Sequence, residues 1–152
     1  GEGHRPSHHG EIADVVAVRA SGDALEVLLV HCKWAQSGKT AARVDDLYEL
    51  CGQAQKSVRW RHYVPEMFKR LIAREQRRVS KYGYSGIEAG EAAGLFKLLD
   101  QSRPLSPRFT VAGAPPSGTK AGISLPQQHL LGSTEKYVAD VAAGEFVVYC
   151  SD

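Results

Sequence analysis

No run of apolar residues in this 152-residue chain is long enough to matter to a membrane; stretches such as Val27 to Val30 fall far short of a bilayer span. The chain opens without the succession of basic, apolar and small residues that marks a secretory leader, so none is expected. Cysteine is scarce. Cys32, Cys51 and Cys150 stand far apart among apolar neighbours, and no Cys-x-x-Cys pair is present, which argues against a structural zinc site. An odd set of embedded thiols fits a reducing, cytoplasmic setting, where all three are expected to act as small buried hydrophobes. A phosphate-cradling loop is also missing. Ser37-Gly38-Lys39-Thr40 has the ending of such a loop, but the first glycine it needs falls on Lys33. No strand, glycine-rich turn and helix follow one another in the order a dinucleotide requires.

What remains is the composition of an ordinary folded domain. A globule of this size buries about 68–70% of its unfolded surface, enough for a core without staples. Residues 1–10, with His4, His8, His9 and three glycines, read as a tail, and 11–152 as a single domain. Net charge is only +2, yet it is unevenly spread. Residues 56–81 carry nine Lys and Arg, among them Lys56, Arg59, Arg70, Arg74, Arg77 and Arg78, against Glu66 and Glu75 alone. Trp60 and Tyr63 are interleaved with these cations and Tyr82 follows them. Such a block is the expected footprint of a polyanion, most simply nucleic-acid phosphate; the bland alternative is a solvated helix face.

Residues 12–20 are short and β-branched, Ser21-Gly22-Asp23 is a turn signal, and Leu25 to Trp34 follows as a second strand, so an antiparallel hairpin is expected. Over 43–59 the period changes: Val44, Leu47, Tyr48, Cys51, Ala54 and Val58 recur every three or four residues, the mark of an amphipathic helix. Pro65 suits the first turn of a further helix over 65–79, with Met67, Leu71 and Ile72 inward and the arginines outward. A short helix near 88–100, a strand at 108–113, a helix at 125–142 with Gly144 at its C-cap, and a strand from Glu145 to Cys150 complete the chain. The fold class expected is α/β: a central mixed sheet that starts with the hairpin and is flanked by helices.

Alternate residues of a strand share a face, so His31 and Lys33 point together, away from Cys32. A lysine beside a histidine at the end of an apolar strand is costly unless it is used or wet. Asp14 opens the neighbouring strand, and hairpin pairing can bring its carboxylate near both. A carboxylate, a second ligand and a lysine at one sheet edge suit metal-assisted phosphodiester hydrolysis. The plain alternative is a turn aspartate and a satisfied core histidine.

The segments Gly10-Glu11-Ile12-Ala13-Asp14, Val30-His31-Cys32-Lys33 and Ala42 through Ser57 resemble a nuclease-like domain found at the C-termini of some bacterial DEAD/DEAH-box helicases. That domain looks like a member of the PD-(D/E)XK, or restriction-endonuclease-like, superfamily. The stretch from Phe109 through Ser133-Thr134-Glu135-Lys136-Tyr137 to Ser151 looks similar too.

The resemblance implies a metal-dependent nuclease acting on DNA, with RNA as the other polymer open to it. It also implies Mg²⁺ or Mn²⁺ as cofactor, and a helicase module in the same or an associated chain serving repair or phage defence. A homodimer is one assembly open to such a domain. Residue by residue, Asp14 matches the first acidic metal ligand and Lys33 the motif lysine. The carbonyl of Cys32 falls where a backbone ligand sits. His31 stands where a second acid belongs, and imidazole suits Mn²⁺ better than Mg²⁺. Glu11, or Glu49 and Gln53 on the following helix, are the candidates for the missing oxygen, while Gln53 with Lys56 would orient the strand. The alternative is a catalytically degenerate nuclease fold that binds nucleic acid or docks a partner.

Overall fold

The computed structural model describes residues 12–32, 44–114 and 124–149. Strand β1 (Val15–Ser21) turns through Gly22-Asp23 into β2 (Ala24–Cys32), and the two pair antiparallel from Ser21 against Ala24 to Val15 against Val30. A parallel neighbour for β2 needs a long crossover. Helix α1 (Val44–Ser57), the 3-10 helix Val58–His62, α2 (Val64–Tyr82) and α3 (Ala92–Gln101) supply it before β3 (Ser106–Ala114). A second crossover through α4 (Leu125–Ala142) leads to β4 (Glu145–Val148), which lies parallel to β3. The sheet order is β1-β2-β3-β4. The expected mixed α/β sheet with its opening hairpin is therefore present. No described helix is long and apolar enough to cross a membrane.

The helices form one layer. On β2, Leu25, Val27 and Leu29 are buried and share a core with Val64, Met67 and Phe68 from α2 and Trp60 from the 3-10 helix. Val16 and Val18 of β1 and Leu95, Leu98 and Leu99 of α3 pack against that same cluster. The register sets Val111 beside Leu29 and Phe146 beside Val111. Phe146 in turn packs on Val58, Val138 and Ala142, so α4 covers the same side. The opposite face carries Val15, Leu28, Val30 and Val147, none of them buried. Helices thus flank the sheet on one side, among the described residues.

Caps define the ends. Ser124 and Gln127 satisfy each other reciprocally at the start of α4, with the Gln127 amide oxygen accepting from Ser124 N–H at 2.8 Å. At its end the expected cap is displaced by one residue. Ala143 takes the left-handed conformation at φ 47°, while Gly144 passes so close to β3 that a Cβ there would stand 2.6 Å from the Phe109 carbonyl oxygen. Strand β3 also begins earlier than expected and includes Pro107. Its pairing to β4 starts only at Thr110, so Pro107 has a neighbouring strand on one side and its missing N–H is tolerated.

Gly144→Ala is expected to destabilise the fold by about 1–3 kcal/mol through backbone displacement. Gly132→Ala, inside α4 with open space around it, should stabilise by about 0.5–1 kcal/mol. Urea denaturation of the two variants beside the parent checks both signs.

Candidate functional site

The end of β2 is where the chemistry gathers. Asp14 immediately precedes β1, and its N–H donates to the Val30 carbonyl at 3.0 Å. Its carboxylate then accepts from the Cys32 N–H at 2.7 Å. One residue therefore closes the open end of the hairpin twice, by main chain and side chain, and the acid is fixed beside His31 and Cys32. A carboxylate held by a backbone amide is a charge-assisted contact that orients it strongly. Only one of its two oxygens is used this way.

His31 points to the helix-covered face, where it is 6% exposed. Its Nε2 lies 2.6 Å from the Ser57 hydroxyl at the end of α1. That hydroxyl donates its single proton to the Gln53 carbonyl at 2.9 Å, so it must accept from His31. The geometry assigns the proton to Nε2 and leaves the lone pair on Nδ1. Burial pushes the imidazole below its ordinary pKa, and the negative charge of Asp14 opposes that shift without cancelling it. His31 is accordingly neutral at pH 7. The Cys32 thiol is raised by burial and then by Asp14. It therefore stays protonated near neutral pH. Cys51 is buried and raised for the same first reason, with a hydrogen bond to Thr134 opposing.

Helix α1 lines up Glu49, Gln53 and Ser57 at four-residue intervals, one above the other. Glu49 is exposed. The Gln53 side-chain oxygen is buried and has no hydrogen-bond partner among the described residues, an acceptor left open one turn from the Ser57–His31 contact. Glu11, Lys33 and Cys150 lie outside the described residues, as does the loop carrying Ser37 to Thr40. Among the described residues no three His, Cys, Asp or Glu side chains converge as a ligand set. Asp14 offers one hard carboxylate oxygen and His31 one ring nitrogen, a donor set that fits a cation completed by water and a further acid.

The arginines divide by role. Arg74 Nη1 donates to the Ala13 carbonyl at 3.1 Å, tying α2 to the residue before Asp14. Arg61 reaches the carbonyls of Ala142 and Pro107, the latter at 3.4 Å, joining the end of α4 to the start of β3. Arg59 and Arg70 set their guanidinium groups 4.7 and 5.1 Å from the centre of the buried Trp60 ring. Arg78 lies against Gly86. Lys56 and Arg77 are exposed. The uniformly outward set expected on α2 is thus partly structural, because a long side chain beside an open carbonyl bonds it. Ser57 was not singled out from the sequence; its four-residue spacing from Gln53 was the available signal.

Comparisons with protein-family models, with curated proteins and with solved structures find no match for the chain.

Ser57→Ala strands a buried imidazole N–H and is expected to cost about 1–3 kcal/mol. The pH dependence has a definite sign. Above about pH 7 both states hold His31 neutral; as pH falls through the ordinary histidine value of about 6.5, the unfolded chain takes a proton that the folded chain refuses. Stability therefore declines from about pH 6.5 down to the lowered folded pKa, and His31→Gln should flatten that slope when urea midpoints are compared between pH 8 and pH 5.

Proposed function

We propose that this chain is a metal-dependent nuclease domain that hydrolyses DNA phosphodiester bonds. The observation that carries the reading is the Asp14 carboxylate locked on the Cys32 amide, one residue from the place of Lys33 in sequence. An acid held at the end of the central strand, beside a neutral imidazole and near a basic helix, suits chemistry on a phosphate diester. The segmental resemblance to helicase-linked nuclease-like domains supports the same reading, with a cytoplasmic repair or phage-defence system as the proposed setting.

In this reading Asp14 holds a divalent cation, Mg²⁺ or Mn²⁺, with the Cys32 carbonyl and Glu11 or Glu49 as further oxygen donors and His31 Nδ1 as the nitrogen donor. When bound, that ion polarises the phosphoryl oxygen and lowers the pKa of a water. The chain's own residues do the rest. Asp14 keeps its orientation through the Cys32 amide, so it does not reorganise when charge develops. His31 stays neutral and so adds no positive charge that would repel a cation. Lys33 offsets the negative charge that builds on the attacked phosphate. Lys56 and Arg77 attract the backbone, and their contribution weakens as salt rises.

A second reading has one observation in its favour. His31 stands where a second carboxylate is expected, and its Nε2 is spent on Ser57. On that reading the fold binds nucleic acid or docks a partner without cutting.

Incubation of labelled single- and double-stranded DNA with Mn²⁺, Mg²⁺ or chelator separates the two. Metal-dependent cleavage is expected, with Asp14→Asn and Lys33→Ala each losing at least about a hundredfold in rate while thermal melting stays close to the parent's. DNA retarded in a gel yet left intact under every metal would establish the binding module instead.

A further inference from the structure

Helix α2 ends in an exposed aromatic pair that no part of the candidate site uses. Tyr82, its last residue, is 58% exposed, and Tyr84 is 62% exposed. Their ring centres lie 5.9 Å apart with the planes inclined by 30°. Gly83 between them takes a left-handed conformation at φ 75°, its N–H bonded to the Val79 carbonyl at 2.9 Å. That turn brings Tyr84 back beside Tyr82.

The returning chain is fastened from behind. The Ser85 hydroxyl and the Gly86 N–H, the latter at 3.0 Å, both donate to the Glu75 carboxylate. The Ile87 N–H donates to Ser85 Oγ at 3.0 Å. Glu75 is the one acid between residues 67 and 87; the Ser85 hydroxyl, with the Gly86 N–H and the Arg78 charge in support, holds its carboxyl below the usual range, so it stays ionised. The six Lys and Arg of the same stretch still outnumber it. Lys81 places its ammonium 5.1 Å from the Tyr82 ring centre, and Arg77 is exposed one turn earlier.

Two large rings held in water by an ordered loop, next to an excess of cations, match what an unpaired nucleic-acid strand requires. Bases in a duplex hide their faces against one another, whereas a single strand offers them for stacking on aromatic side chains. We propose that Tyr82 and Tyr84 form a base-stacking platform for a single-stranded polynucleotide whose phosphates run along Arg77 and Lys81. This rests on the nucleic-acid reading above and names the strandedness of its substrate. DNA and RNA present the same bases and charge here.

The test is fluorescence anisotropy of the full chain in EDTA, where cleavage cannot interfere. The probes are a labelled oligothymidylate and an oligouridylate of roughly twenty nucleotides, long enough to cover one site, and a mixed-sequence duplex of equal length. The single strands should bind more tightly than the duplex. The Tyr82→Ala/Tyr84→Ala double variant should lose about tenfold or more for single strands and little for duplex, while Tyr82→Phe/Tyr84→Phe retains the parent's affinity. Both tyrosines are exposed, so circular dichroism melting of the variants should match the parent's. The loss seen with either oligonucleotide supports the platform, and the tighter of the two identifies the polymer. A duplex preference, or single-strand binding indifferent to the alanines, overturns the platform and leaves the phosphodiesterase reading standing. Failure of the parent to bind any of the three overturns the platform, and the cleavage assay with metal then decides the phosphodiesterase reading by itself.

Discussion

Strand β2 carries the arrangement, because it alone of the strands near the site must satisfy neighbours of both kinds. It pairs antiparallel with β1 along one edge and parallel with β3 along the other, so its backbone has no free edge between Ala24 and Val30. Its odd-numbered residues face the helical layer and its even-numbered ones face away. That alternation separates His31 from Cys32: the imidazole is pressed into the helix side while the Cys32 amide meets Asp14. Were the register to slip by one residue, His31 would lose Ser57 and the apolar stripe from Leu25 to Leu29 would leave the core.

The electrostatics of the site follow from this division. Burial favours the uncharged imidazole, and the nearby Asp14 charge is too weak an opponent to reverse it. Ser57 then settles which nitrogen holds the proton, since its own hydrogen is committed to Gln53. A carboxylate anchored to backbone and a neutral histidine with a fixed tautomer form a preorganised pair. The basic helix is linked to the same spot through Arg74 and Ala13.

Much of this was legible in the sequence, and the exceptions have physical causes. The hairpin, α1, α2 and α4 announce themselves by period, turn residues and caps, and the boundaries differ from expectation by a few residues at most. The one-sided helical layer was not legible. Leu28 and Val30 are as apolar as the Leu25 and Val27 beside them, so β2 reads as a strand buried on both faces. At Gly144 the expected reason for glycine was the left-handed cap, whereas Ala143 adopts that conformation and the glycine is needed for its approach to Phe109. Asp14 beside the end of β2 was anticipated from hairpin pairing. The Ser57 partner of His31, twenty-six residues away, depends on how α1 lies across the sheet, which periodicity does not specify.

The central claim, that Asp14 and the end of β2 form a cation site, is met most directly by titrating the ¹⁵N-labelled chain with Mn²⁺ and following paramagnetic broadening of its amide signals. Asp14 and Cys32 are expected to broaden first, Mg²⁺ to restore them, and Asp14→Asn to remove the effect. Broadening that starts at other acids such as Glu135 or Asp140, with Asp14 and Cys32 still sharp, would contradict it.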